Sequence, residues 1–588
     1  MSKVKKILFI LTSYQRRQAA WLLVMLIIVA LLDMIGVASI LPFIAILSNP
    51  GLIETNSILK YMFQISNNFG VDNHKEFFFA SGIMVFAILI ISLTFKAFTT
   101  YLQVRFVKMC EYSIGKLLVE GYLNQPYSWF LSRHSTELGR TILSEASQVA
   151  GGGMKPLIEV TAKGAITIAL LILLIVADTK LALIVGFSLG GSYWILFYCV
   201  RKYLNQTGKK RLKHDQSRFM SVSEAFNAVK EIKFGGLEKN YINSFSDSAG
   251  NFARTNTSVE VVGLLPRFIL EAVAFGGVLL IILYVMMNTG NFNNALPILS
   301  LYVFAGYRLM PALQQVYVSF TQLTFVGSAI DKLYEDIKKI KLTKENQNQD
   351  QETLSFNETI SLKNIYYNYP NTSITTLKNI NLNIAAKSTI GLIGTTGSGK
   401  TTTVDIILGL LEPQKGTLEI DGKIITQQNS RSWQRAIGYV PQQIYLADNS
   451  IAANIAFGVE PKNIDLEAVE RAAKIANLHK FVMDELPQKY QTFIGERGVR
   501  LSGGQRQRIG IARALYHNPK LLIFDEATNA LDDQTEKAVM DAVNNLGKNI
   551  TIILIAHRLN TLKNCDAIFK LEKGHLIKQG SLDIFNLN

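Results

Sequence analysis

Apolar residues in the first 340 positions gather into runs too long for a soluble core, at about 19–47, 77–99, 157–177, 180–200, 264–287 and 295–320. Each is near the roughly 20 residues needed to cross a bilayer as a helix. Two connections, 100–156 and 201–263, are rich in helix formers and nearly free of proline, so they predict helices that continue beyond the spans. Gly or Pro punctuates them at Tyr122-Leu-Asn-Gln-Pro-Tyr127 and Lys233-Phe-Gly-Gly-Leu237, where bends are expected. Between the first two spans, the spacing of Ile58, Leu59, Met62, Phe63 and Ile65 suits a small amphipathic helix at the outer interface or, equally, a surface loop. The start, Ile7-Leu-Phe-Ile-Leu11, is too short an apolar run for a signal peptide and is read as an interfacial entry helix. From Lys341 to Asn357 the chain turns polar and reads as a linker. Beyond it, short apolar strands (Ser388–Ile393, Leu521–Phe524, Ile550–Ile555) alternate with helical patterns, which predicts an α/β domain with a largely parallel sheet. The expected division is therefore 1–340, 341–357 and 358–588.

Charge changes the picture by fixing orientation. The net charge is +15, and the first 340 residues hold 32 Lys and Arg against 20 Asp and Glu. Basic loops beside bilayer helices account for this better than nucleic-acid binding does. Arg16, Arg17, Arg105, Lys108, Arg201, Lys202, Lys209, Lys210 and Arg211 fall on one side, which places both chain ends in the cytoplasm. Cys110, Cys199 and Cys565 have no C-x-x-C spacing, so neither a disulfide framework nor a zinc site is indicated.

The chemistry is concentrated in the second domain. Gly394-Thr395-Thr396-Gly397-Ser398-Gly399-Lys400-Thr401 follows an apolar strand and precedes the helical pattern that Thr402 begins. In that context glycines turn backbone N–H groups toward phosphate oxygens, the helix start adds its dipole, and a lysine and a hydroxyl reach the phosphates and a metal ion. Downstream, Leu501-Ser502-Gly503-Gly504-Gln505 precedes a strand that ends in Asp525-Glu526. One carboxylate there suits a divalent cation and the next suits a polarised water.

These motifs, in this order, resemble the ATP-binding-cassette ATPases. Six spans ahead of one cassette resemble a bacterial ABC exporter half-transporter, over essentially the whole chain. The resemblance implies a six-helix transmembrane domain with long cytoplasmic helical extensions, fused to an α/β P-loop nucleotide-binding domain using ATP and Mg²⁺. It implies that Asp525, Thr401 and Gln442 attend the metal, and that Glu526 and His557 act on the attacking water and γ-phosphate. Tyr369 matches the aromatic that stacks on adenine, although Tyr366 or Tyr367 is an alternative. Ala530-Leu-Asp532 resembles the loop by which paired cassettes sense each other, and Thr492-Phe-Ile-Gly-Glu496-Arg-Gly498 the loop that touches the cytoplasmic helices. Asn529 departs from the serine usual there. Ser502, Gly503, Gly504 and Gln505 imply contact with the partner's nucleotide, so a homodimer is the simplest assembly. Glu526 and His557 argue against a silent half of a heterodimer, the fused spans against an importer or a soluble nucleic-acid cassette. The lack of a Cys/His domain before the first span disfavours a leader-cleaving peptide exporter.

The cargo is read from charges inside the spans, which usually face a cavity or partner. These are Asp33, Glu159, Lys163, Arg267, Glu271 and Arg308. Glu159 with Lys163, and Arg267 with Glu271, stand four apart and either neutralise each other or serve a site. Arg308, with Arg267 and Lys96, is expected to line a basic cavity for a phosphate-bearing substrate. Leu265-Pro-Arg267-Phe-Ile-Leu-Glu271 and Tyr307-Arg308-Leu-Met-Pro311 resemble flippases of lipid-linked oligosaccharides. That implies a polyprenyl-diphosphate glycan crossing a bacterial inner membrane; lipid A, an anionic drug and a hydrophobic peptide stay open.

Overall fold

The computed structural model describes residues 2–48, 57–68, 71, 73–177, 179–289, 292–344, 353–370, 372, 374–495, 498–526, 533–546, 550–555, 562–563, 565–581 and 584, without the side chains of 281–302. The chain forms two compact units, Met1–Asn124 with Arg133–Glu345, and Gln125–Ser132 with Asn346–Asn588.

The first unit is helical. It comprises α1 (Lys3–Ile10), α2 (Ser13–Ala38), α3 (Ile40–Ser48), α4 (Ser57–Asn67), α5 (His74–Leu123), α6 (Lys155–Ala177), α7 (Thr179–Asn227), α8 (Glu238–Thr289), α9 (Phe292–Phe325) and α10 (Gly327–Lys344), with shorter helical turns ahead of α6 and α8. Among the described residues, Ser13–Ile44, Lys75–Leu123 and Ser135–Val176 are long and apolar enough to cross a membrane. The other expected spans lie within α7, α8 and α9. Helices α5 and α7 run 50 and 49 residues without a break, so the connections do extend the spans. The bends fall at the predicted punctuation. Helix α5 ends at Leu123 before Pro126, and a short helix, Val229–Gly235, closes on Gly236 at φ 61°, a left-handed conformation that glycine adopts without a Cβ clash.

Helix α4 is the amphipathic helix expected outside the first two spans; Leu59 packs with Ile46 and Phe77, and Met62 and Phe63 against them. Leu59, Met62 and Phe63 are covered by protein, whereas Ile65 is 43% exposed. Helix α1 packs against protein on one side and leaves Val4 and Leu8 exposed on the other. Ile7 and Ile10 are buried, Lys3 Nζ donates to the carbonyls of Leu323 and Thr324, Lys6 pairs with Asp331 on α10, and Phe9 meets Tyr334 edge-on. Helix α10 also runs to Lys344, four residues into the stretch whose composition suggests a linker.

The interior is packed with aliphatic and small residues: Val29, Ala30 and Val37 of α2 meet Ile166, Leu170 and Leu174 of α6 and Ala305, Leu309 and Ala312 of α9. Small side chains let helix backbones approach closely. The closest approach is at Gly208 of α7, where an added Cβ would strike the Phe325 carbonyl.

The second unit contains two sheets. An antiparallel sheet, absent from the sequence reading, has the order β2-β1-β4-β5 (Leu377–Ala385, Thr359–Tyr367, Lys415–Ile420, Lys423–Ile424). The other has the order β10-β9-β3-β8-β7-β6 (His575–Gly580, Ala567–Glu572, Thr389–Gly394, Thr551–Ile555, Leu521–Asp525, Ile437–Val440). Its strands β9, β3, β8, β7 and β6 are parallel and β10 pairs antiparallel at the edge. Strands β7 and β8 are buried along their whole length, as their continuous apolar runs require.

Gly208→Ala is expected to destabilise the full-length protein by about 1–3 kcal/mol, because two backbones would have to part. Gly250→Ala on α8, where a Cβ meets nothing within 4 Å, should be neutral or gain up to ~1 kcal/mol. Thermal unfolding of the two variants in detergent checks the contrast.

Candidate functional site

Strand register assembles the nucleotide-facing edge. Leu392 of β3 is level with Ile555 of β8, and Ile555 is level with Asp525 of β7. Residues that follow these three strands therefore emerge together at their carboxyl ends, where open α/β sheets bind ligands. From β3 emerges the loop of Gly394, Thr395, Thr396, Gly397, Ser398 and Gly399, which feeds α11 (Lys400–Ile407). Gly397 and Gly399 take φ of 79° and 100°, which side-chain-bearing residues rarely adopt. Lys400, 6% exposed, donates through its Nζ to the Gly394 and Thr395 carbonyls at 2.8 and 3.2 Å. Burial lowers its pKa while Glu526 and Asp525 oppose the shift.

Asp525 is buried, and its Oδ2 accepts from the Tyr439 hydroxyl at 3.2 Å. Glu526 follows in a left-handed conformation, φ 51°, unusual for a residue with a Cβ. Gln442 Nε2 donates to its Oε2 at 2.8 Å, a contact the sequence did not foretell. Thr401 is exposed beside Lys400, and Thr402 shares a 2.9 Å hydrogen bond with the Tyr369 hydroxyl. Tyr367 is buried against Tyr369 edge-on, which assigns it to the core, while Tyr366 is 37% exposed.

Ser502 caps helix α12 (Gly503–Leu515): its Oγ accepts from Gln505 N, and Ser502 N donates to Gln505 Oε1. Among the described residues no hydrogen bond joins Ser502, Gly503, Gly504 or Gln505 to the phosphate loop. His557, Asp532, Asn529 and Glu496 lie outside the described residues.

The loop fits a nucleotide phosphate. Among the described residues Ser398 Oγ is a buried hydroxyl with no hydrogen-bond partner, in a turn where Gly397 and Gly399 adopt positive φ. The oxygens of Thr401, Gln442 and Asp525 form a donor set of the hard type that Mg²⁺ prefers.

Three further residues belong here. Tyr439, in the stretch before Gln442, orients Asp525. Tyr127, from the first cytoplasmic bend, folds with the second unit, where burial raises its pKa and Asp405 and Tyr369 add to the shift. Asp405 lies on the buried face of α11. The Tyr122–Tyr127 punctuation pointed to the first bend; neither Tyr439 nor Asp405 carries a motif.

In the first unit, the expected cation cluster is corrected. Lys96 Nζ and Arg308 Nη1 both converge on the Asp33 carboxylate, at 3.3 and 3.1 Å, so Arg308 has an ion-pair partner that its local sequence does not offer. Arg267 stands apart, largely exposed and paired with Glu271 at 2.7 Å. Glu159 takes its bonds from Gln315 and Ser319 and faces Lys155 at 3.8 Å, so it does not form the expected pair with Lys163.

Residues 38–310 match the model of the ABC transporter transmembrane region, and residues 377–529 that of the ABC transporter. An ATP-dependent lipid A-core flippase of Saccharophagus degradans is 32% identical over 78% of this chain and 76% of its own length. The chain belongs to the ABC transporter family. Leukotoxin translocation ATP-binding protein LktB of Mannheimia haemolytica is 45% identical over 38% of this chain and 31% of its own. A solved bacterial Atm1-family ABC exporter with ATP bound shares the fold, with TM-score 0.74 and 21% identity over 97% of this chain and 96% of that one. This ABC transporter is thus an ATP-hydrolysing membrane exporter whose transmembrane helices are fused to an α/β nucleotide-binding domain.

Asp405 sets a pH signature on the transporter. Burial, and then the charge of Asp525, raise its pKa from 3.8 to about 6. Because the folded form holds the proton more tightly, Asp405 costs no stability below pH 4. The cost grows as pH rises and is complete above about 6. Asp405→Asn should therefore stabilise the nucleotide-binding unit by up to about 3 kcal/mol above pH 6 and by nothing below pH 4. Thermal unfolding across that range checks it.

Proposed function

We propose that this transporter is a homodimeric flippase that uses ATP and Mg²⁺ to move a phosphate-bearing glycolipid, of the polyprenyl-diphosphate oligosaccharide class, across a bacterial inner membrane. The observation that carries the cargo reading is the cluster at Asp33. Lys96 and Arg308 pair with one buried carboxylate and Lys163 lies within the field of the same groups and of Glu159, an excess of positive charge where charge is costly. Similarity to the lipid A-core flippase supports a lipid cargo, and lipid A remains the second reading on that ground.

In the engine, backbone N–H groups from Gly394 to Gly399 and the Lys400 ammonium hold the phosphates. Tyr369 stacks on the adenine face, tethered through Thr402. Thr401, Asp525 and Gln442 hold Mg²⁺, which when bound neutralises phosphate charge. Glu526 exchanges its hydrogen bond with Gln442 for one with the attacking water, and acts as its general base. His557 contacts the γ-phosphate. Ser502, Gly503, Gly504 and Gln505 of one protomer, with Asp532 nearby, complete the site of the other. A capped helix start suits that task, since its first N–H groups face outward. Closure of two cassettes then draws the bends at Gln125–Ser132 and Lys233–Leu237 and switches the membrane cavity, while hydrolysis resets it.

Glu526→Gln in nanodiscs should lose at least ~10²-fold in ATP hydrolysis while ATP binding persists. The wild type alone should hydrolyse ATP, and a polyprenyl-diphosphate oligosaccharide extract should change its rate. Hydrolysis only after mixing with another half-transporter would overturn the homodimer; indifference to the extract would overturn the cargo.

A further inference from the structure

Four spanning helices bring their charges to one place. Asp33 of α2 is 2% exposed; its Oδ1 accepts from Ser92 Oγ at 3.1 Å and Arg308 Nη1 at 3.1 Å, and its Oδ2 faces Lys96 Nζ at 3.3 Å. Lys163 of α6 feels Lys96, Asp33, Glu159 and Arg308, yet among the described residues its ammonium has neither an ion pair within 4 Å nor a hydrogen bond. The side chains of Lys96 and Arg308 are 32% and 21% exposed, whereas that of Asp33 is 1% exposed, so the cations keep accessible surface that the carboxylate lacks.

The cluster therefore holds three cations against two carboxylates, Asp33 and, beside Lys163, Glu159, and Asp33 is the most deeply buried of them. A carboxylate has two oxygens, and here it divides them among three donors. A phosphate has more oxygens and more charge, and Arg binds it through paired N–H groups. Removing Asp33 from its partners is offset in part because Ser92 still donates to it.

We infer that Asp33 is a built-in counter-anion, displaced from Lys96 and Arg308 by the phosphate of the transported lipid, with Lys163 supplying the third contact. The inference rests on the anionic-lipid reading above. Asp33 acts as a specificity-determining residue: it weakens binding of every anion, so only a headgroup with phosphate charge competes with it, and it pairs again with Lys96 and Arg308 once that headgroup leaves.

The test uses the full-length protein in phosphatidylcholine nanodiscs, with the ATPase rate followed against undecaprenyl diphosphate, the parent isoprenoid alcohol, and inorganic phosphate. Asp33→Asn is expected to lower the half-saturating concentration of the diphosphate lipid about tenfold or more, and Arg308→Gln to raise it by a similar factor. If Asp33→Asn folds poorly, Asp33→Asn with Lys96→Gln restores the charge balance and should bind more tightly than Lys96→Gln alone. A structural role predicts a lower melting temperature without tighter binding, and that outcome overturns the assignment. Tightening by inorganic phosphate as well supports the same site with a free anion as its ligand, whereas an equal response to the alcohol overturns it. If the wild type ignores all three probes, the anionic-lipid reading fails and takes this inference with it; if the wild type responds and Asp33→Asn responds equally or less, this inference fails alone.

Discussion

The register of three parallel strands governs the catalytic half of the molecule. With Leu392, Ile555 and Asp525 drawn level by β3–β8 and β8–β7 pairing, the phosphate loop and the carboxylate pair share one sheet edge although about 130 residues of chain separate them. A slip of one residue would turn every side chain of a strand to the opposite face. The register is held because both faces of β7 and β8 are buried, so slipping a strand would misplace apolar side chains over its whole length. Rigidity there permits strain at the edge, and Glu526 sits at a positive φ directly after the last buried strand residue.

Hydrocarbon imposes a different constraint on the first unit. No water is present to satisfy a peptide group, so helices that bond internally are the form the spans take. Their association then depends on close contact and on polar groups that find one another. Both devices appear: alanines and Gly208 let backbones approach, and Asp33 gathers Ser92, Lys96 and Arg308 from α5 and α9. A buried ion set of this kind is weak evidence for stability, because desolvation offsets attraction. Its value lies in selecting one arrangement of helices and in the unequal exposure of its two signs.

One short segment ties chemistry to helices by covalent continuity. Gln125–Ser132 belongs to the nucleotide-binding unit, while the chain on both sides of it belongs to the helical unit. Pro126 cannot continue helix α5, and Tyr127, 41% exposed, feels the charge of Asp405.

Local order along the chain determined much of this. The glycine pattern, the strand ending in Asp525-Glu526, the six apolar runs, and the bends at Pro126 and Gly236 were all legible, because each depends on neighbours within a few residues. Helix periodicity likewise gave Arg267–Glu271, a pair on one face. What only the tertiary structure decided has long reach. Arg308 meets Asp33 across 275 positions, Tyr439 meets Asp525 across 86, and Glu159 turns to Gln315 although Lys163 stands one turn away. The antiparallel sheet escaped because its strands show no pattern that fixes their partners. Periodicity states which face of an element is apolar; which elements meet is set by packing them all at once, and a charge inside a membrane takes whichever partner that packing brings within reach.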